Sequence, residues 1–250
     1  MQDSTTGTTT FGSYILQKDT PGLGLKGTEV TLSAANAKEL LDKGCNIFAT
    51  GCNESKLKKV TNELGSNVQY KSCDLSESSN VLSLINDVRD VFKNVDIVVN
   101  SAGIFPVQDF VNTNLDDYNK CINVNLTAPF LLTKEFSKDM IKNKWGRIIN
   151  IASSSAYLGA PKTSIYCASK HALLGLSRSI YNEFKSDNVR VLCISPGSIQ
   201  TEMGRKVEEL GQDYDTFINP KELAEYVVYI SSFDKEMISE EVRLNRLIIR

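Results

Sequence analysis

Apolar positions along this chain alternate between two rhythms. Short β-branched runs stand between longer stretches in which apolar residues return every three or four positions. The run Val95-Asp96-Ile97-Val98-Val99-Asn100 is of the kind buried on both faces of a parallel sheet. Shorter runs at 46–49, 68–71, 147–152 and 190–195 predict further strands, and 243–250 a last one. Helices are predicted over 34–43, stopped by Gly44, and over 55–64, ended by Gly65. Residues 76–92 place Val81, Leu84, Ile85, Val88 and Phe92 at helical spacing. Further helices are predicted over 115–142, with a break near Pro129, over 164–185, and over 220–231, where Pro220 suits a first turn. Alternation of strand and helix predicts an α/β fold, a doubly wound parallel sheet in a single three-layer α/β/α domain. Such sheets bind ligands at the carboxyl ends of their strands.

The first residues break this rhythm. Residues 1–13 are rich in Ser and Thr and read as a flexible arm. Tyr14-Ile15-Leu16 has the pattern of a short strand, and Pro21, Gly22, Gly24 and Gly27 punctuate the stretch after it. The expected division is an irregular N-terminal arm over 1–26 and one domain over 27–250.

Composition narrows the function. A chain of 250 residues that is 41% hydrophobic can bury a proper core. A net charge of −2 gives no electrostatic reason to expect nucleic acid or an anionic membrane. Lys142, Lys144 and Arg147 read as a solvated helix end. The six cysteines form no C-x-x-C pair and read as reduced thiols of a cytoplasmic protein. One histidine and those cysteine spacings predict no metal site. No apolar run reaches membrane-spanning length, and no signal peptide is expected.

The candidate chemistry lies near the middle of the second half. Tyr166 and Lys170 stand four apart in a predicted helix and share one face. An ammonium beside a phenol lowers the phenol's pKa and readies it to pass a proton near neutral pH. Ser153 comes directly after the predicted strand at 147–152. Together the three can grip a carbonyl or hydroxyl oxygen and protonate or deprotonate it. His171 adjoins Lys170 but points about 100° away on a helix, so it reads as structural. Trp145 reads as packing.

Four motifs occur in order: Asn100-Ser101-Ala102-Gly103, Asn123-Val124-Asn125-Leu126, the spacing from Ser153 to Tyr166-Cys167-Ala168-Ser169-Lys170, and Pro196-Gly197-Ser198-Ile199-Gln200-Thr201. They resemble the short-chain dehydrogenase/reductase family over residues 34–235, with a general likeness to its 3-oxoacyl-(acyl-carrier-protein) reductase-type members. The resemblance implies a Rossmann-like fold and hydride transfer between NAD(P)(H) and a small-molecule carbonyl or secondary alcohol. It implies Tyr166 as general acid/base, Lys170 lowering its pKa and holding the nicotinamide ribose, and Ser153 orienting the substrate oxygen. Asn125 would hold the water that links the lysine to solvent. Asn100, Ala102 and Gly103 would line the adenosine and ribose path, and Asp74 and Leu75 would contact the adenine. Pro196, Gly197, Ile199 and Thr201 would frame the nicotinamide amide, and residues 201–217 would cover the substrate. Relatives commonly pair through helices corresponding to 115–142 and 164–185, which implies a homodimer or homotetramer.

Bland readings stand beside these. Asn125 can bridge helices, Asp74 can cap the next helix, and Pro196-Gly197 can be only a turn.

One motif departs from the family. Its glycine-rich first loop falls, without a gap, on residues 26–33, where only Gly27 survives. Thr31 and Ser33 replace glycines that let backbone amides approach the pyrophosphate, and Glu29 adds negative charge there. The alternative function is therefore a cofactor-deficient relative serving as a partner or regulatory subunit. The stretch Thr50-Gly51-Cys52-Asn53 supplies neither the acid that favours NAD nor an Arg that favours NADP. The missing acid leans the reading to NADP, with Lys56 as a helper.

Overall fold

The structure, a computed structural model, describes residues 14–17, 41, 46–64, 67–233, 236 and 239–246. The helix expected over 34–43, the glycine-rich loop with Gly27, and the end of the last predicted strand at 247–250 lie outside the described residues.

Among the described residues seven strands form one sheet in the order β3-β2-β1-β4-β5-β6-β7. They are β1 (Tyr14–Gln17), β2 (Asn46–Gly51), β3 (Val68–Ser72), β4 (Ile97–Asn100), β5 (Gly146–Ile151), β6 (Val189–Pro196) and β7 (Glu241–Leu244). β2 runs parallel to β3, and β4 through β7 run parallel to one another. Helices cover both faces: α1 (Glu54–Leu64), α2 (Ser78–Val91), α3 (Leu115–Ile122), α4 (Ala128–Asn143), α5 (Ser164–Phe184), α6 (Glu202–Glu208) and α7 (Pro220–Ser232).

Adjacent residues of the β-branched runs go to opposite faces. Val98, Ile148 and Val191 join Leu84 and Val88 of α2 and Leu132, Phe136 and Met140 of α4 in one core. Ile97, Val99, Ile149 and Leu192 join Leu57 of α1 and Leu223 and Val227 of α7 in the other. Two-sided burial is why these strands carry no polar alternation.

The structure adds to or shifts the sequence expectation in three places. β1, within the segment expected to be an irregular arm, sits between β2 and β4 and pairs antiparallel with both. A ladder of backbone hydrogen bonds exists for either polarity, so the residue pattern of a strand does not decide its direction. The helix expected over 115–142 breaks before Pro129, through a π-helical segment at Asn123–Thr127, and Pro129 occupies the first turn of α4. The last strand begins earlier than 243, because Cys193 to Pro196 of β6 pair with Glu241 to Leu244.

Arg147 is also a correction. It is 2% exposed rather than part of a solvated helix end, with its guanidinium 4.3 Å from the Trp145 ring centroid and donating to the Gly146 and Phe233 carbonyls.

Candidate active site

The parallel register brings the carboxyl ends of β4, β5 and β6 together: Asn100 lies opposite Asn150, and Ile151 opposite Ile194. A cleft of about 350 Å³ opens there, lined by Ser101 and Gly103 after β4, Ser153 after β5, Tyr166 and Lys170 of α5, Pro196 at the end of β6, and Gly197 to Ile199 after it.

Ser153 leaves β5 in extended backbone and caps the short 3-10 turn Ser154–Ala156, its Oγ accepting from Ser155 N at 3.1 Å. Its hydroxyl faces the Tyr166 phenol across the cleft and pulls the phenol's pKa down. One turn of α5 further on, the Lys170 ammonium donates to the Ile151 carbonyl at 2.8 Å and lies 5.7 Å from the Tyr166 ring centroid. Phe105 packs edge-on against Tyr166, with centroids 4.7 Å apart, and holds the phenol ring in place.

The proton-bearing groups differ from the expectation. Burial pushes the Tyr166 phenol up to about 12, against the pull of the Ser153 hydroxyl. Burial also pushes the Lys170 ammonium down to about 8. Desolvation disfavours the charged form of both groups, and for Tyr166 it outweighs the acidifying influence expected from the lysine.

Asn125 is fully buried in the π-helical segment. Its Oδ1 accepts from Ile104 N at 2.8 Å, and its Nδ2 faces the Ile104 carbonyl at 3.0 Å and Ser169 Oγ at 3.0 Å. The side chain thus clamps the β4 loop to α5, which fits the bridging role. A Cβ built on Gly103 would meet Asn125 Oδ1 at 3.4 Å and Lys170 Nζ at 3.6 Å, so the glycine keeps the space between these groups clear.

Other expected residues are divided between the cleft and the frame around it. The Asn100 side chain turns inward, its Nδ2 donating to Asn150 Oδ1 at 2.8 Å, so the amide lines no cleft. Ala102 and Leu75 are each 4% exposed and pack in the core. Asp74 is exposed and closes a turn by accepting from Ser76 N at 2.9 Å, whereas Glu77 stands at the N-cap of α2. Thr201 caps α6 by accepting from Gly204 N at 3.1 Å. Ile199 bridges to Ile218, and Gly197 N donates to the Leu244 carbonyl at 2.8 Å. His171 is exposed, its Nδ1 2.8 Å from the Cys167 carbonyl. Among the described residues no group of His, Cys, Asp and Glu could hold a metal ion.

Sequence reasoning missed Phe105. Met203, Val207 and Leu210, within the segment 201–217 expected to cover the substrate, line one wall of the cleft, and their spacing of four and three suits one helical face. Phe105 carried no such signal, because only the fold brings it to Tyr166.

A doubly wound sheet with a Ser-Tyr-Lys set at its carboxyl edge defines a dehydrogenase-type α/β protein. The family model for short chain dehydrogenase matches residues 26–211, and the chain belongs to that family. It is 31% identical over 222 residues to the 3-oxoacyl-(acyl-carrier-protein) reductase FabG of Rickettsia prowazekii (strain Madrid E), covering 86% of this chain and 90% of the relative. A metagenomic short-chain oxidoreductase solved in complex with NADP is 27% identical and superposes with a TM-score of 0.75, over 87% of this chain and 93% of that one. A 4-hydroxyisoleucine dehydrogenase mutant complexed with NADH and succinate is 30% identical, also with a TM-score of 0.75, over 84% of this chain and 90% of that one.

Proposed function

We propose that this protein transfers hydride between a nicotinamide dinucleotide and a small carbonyl compound or secondary alcohol, with Tyr166 as general acid/base. One observation carries the reading: Ser153, Tyr166 and Lys170 converge on one open cleft at the carboxyl edge of the sheet. Two hydroxyls on one cleft offer a carbonyl oxygen both a hydrogen bond and a proton.

The described residues fit the nicotinamide half of the cofactor. Gly103 keeps clear the space beside the Lys170 ammonium, which would hold the ribose hydroxyls, and Pro196, Gly197, Ile199 and Thr201 would frame the amide. The cofactor, when bound, supplies or accepts the hydride. The protein's own part is the proton. With its phenol held near 12, Tyr166 keeps its proton at neutral pH and stands ready to give it to a substrate oxygen, which suits carbonyl reduction. Ser153 would orient that oxygen, and Asn125 would hold the loop that seats Phe105 behind the phenol.

We read the cofactor as NADP in preference to NAD. After β2, Asn53 is occupied in capping α1, accepting from Lys56 N at 2.9 Å, so no acid stands at the ribose position. The partly exposed Lys56 ammonium pairs with Glu202 at 2.7 Å. An exposed pair of this kind is worth only about 0–1 kcal/mol and can yield to a phosphate. Fluorescence titration should give a tighter constant for NADPH than for NADH; the reverse order would overturn the preference. We read the site of action as cytoplasmic, in keeping with the free thiols of Cys52, Cys73, Cys121, Cys167 and Cys193.

The test of the reaction is Tyr166→Phe. It should lower kcat for ketone reduction by about a hundredfold or more and leave NADPH affinity nearly unchanged. Unaltered turnover would reject the proton-transfer role. No binding of either dinucleotide to the wild-type protein at millimolar levels would favour the alternative, a partner or regulatory subunit.

A further inference from the structure

The short helix α6 lays an apolar face on the cleft instead of on the core. Met203 and Val207 of α6 and Leu210 in the turn after it all line the cleft, whereas the only buried residue of α6 is Gly204. Glu202, Arg205 and Glu208 of the helix are engaged elsewhere. Glu202 pairs with Lys56, Arg205 pairs with Glu208 at 2.9 Å, and the Arg205 guanidinium stands 3.5 Å from the Tyr214 ring centroid. Leu158, 67% exposed, and Leu210, 47% exposed, both line the cleft at its solvent side. Lys170 is the one charged side chain that lines the cleft among the described residues, and it is 3% exposed and bonded to the Ile151 carbonyl.

We infer that the substrate is an uncharged ketone or secondary alcohol with an apolar chain or ring, seated along Leu158, Met203, Val207 and Leu210 with its oxygen at Tyr166 and Ser153. Exposed apolar side chains converging on a cleft with a polar inner end are how a site selects a molecule that is oily except at its reacting oxygen. A carboxylate or phosphate on the far end of the substrate would meet this wall with no cation among the described lining residues to receive it.

This inference rests on the proposed oxygen-binding pair, and a binding test separates the two. Calorimetry would compare methyl alkyl ketones, from propyl to octyl, each with the keto acid in which a carboxylate replaces its terminal methyl group. Affinity for the ketones should rise by up to about fourfold per added methylene. Somewhere in the series the ketone should bind at least about tenfold more tightly than its keto acid. Leu210→Asp and, separately, Leu158→Asp should erase most of that preference, and both positions are exposed enough to keep the fold. Equal affinity within every pair, or a preference untouched by both substitutions, would overturn the inference. Selective ketone binding without any NADPH-dependent turnover would uphold the apolar site while rejecting the proposed reaction.

Discussion

Burial governs the proton chemistry of Tyr166 and Lys170 and moves their stability effects in opposite directions. The folded pKa of Lys170 lies below its ordinary 10.5, at about 8. Below about pH 8 the buried ammonium is charged in both folded and unfolded chains and its burial is a cost. Between about pH 8 and pH 10 the unfolded chain binds the proton that the folded one has lost, so this group adds stability as pH rises. Tyr166 acts the other way, but only above its ordinary 10.0, where the unfolded phenol begins to ionise and the folded one, near 12, does not. The melting temperature of the wild type relative to Lys170→Met should therefore climb from about pH 8 to about pH 10; parallel profiles would show that the ammonium is not held down by burial. Asn125→Leu should leave the Ile104 N–H and C=O without their side-chain partner and cost about 1–3 kcal/mol in urea unfolding. The Tyr166-Lys170 spacing was legible because four residues make one helical turn. The competing desolvation was not, because exposure of a side chain depends on what the rest of the chain brings over it.

At the scale of the element, α6 depends on a single glycine. A Cβ at Gly204 would lie 2.1 Å from the Ile199 carbonyl oxygen, so the helix rests directly on the strand-like segment after β6. Gly204→Ala should lift α6 away from the cleft, at about 1–3 kcal/mol of strain. The resulting rise in KM for ketone should exceed the fall in kcat, which steady-state kinetics would read; a wild-type KM would mean that the helix does not bear on the substrate. The π-helical segment Asn123–Thr127 is a second case. The sequence marks a break near Pro129, since proline favours a first helical turn. It carries no signal that the preceding turn widens, and that turn holds Asn125 in the polar contacts beneath the cleft.

For the whole molecule, stability rests on the two cores on either side of the sheet. Phe136 is fully buried in the core that also holds α2 and α4. Phe136→Ala should cost about 3–5 kcal/mol in denaturant unfolding, and a loss below about 1 kcal/mol would mean that the core collapses readily around the gap. Leu115, Tyr118 and Phe130 are 70%, 43% and 43% exposed on α3 and α4, one of the two helical regions expected to pair subunits. Light scattering should give a dimer or tetramer; a monomer would refute that expectation. Among the described residues, no helix is long and apolar enough to cross a membrane.

By itself the sequence determined the alternation of strand and helix, the β-branched strands buried on both faces, and the order and spacing of Ser153, Tyr166 and Lys170. These are periodic or local properties, and geometry within one element is enough to read them. The tertiary structure alone decided the polarity of β1, the inward turn of Asn100, the apposition of Phe105 and Tyr166, and the apolar face that α6 turns to the cleft. Each of these depends on residues far apart in the chain meeting in space, where competition for hydrogen bonds and for shelter from water, rather than local spacing, sets the outcome.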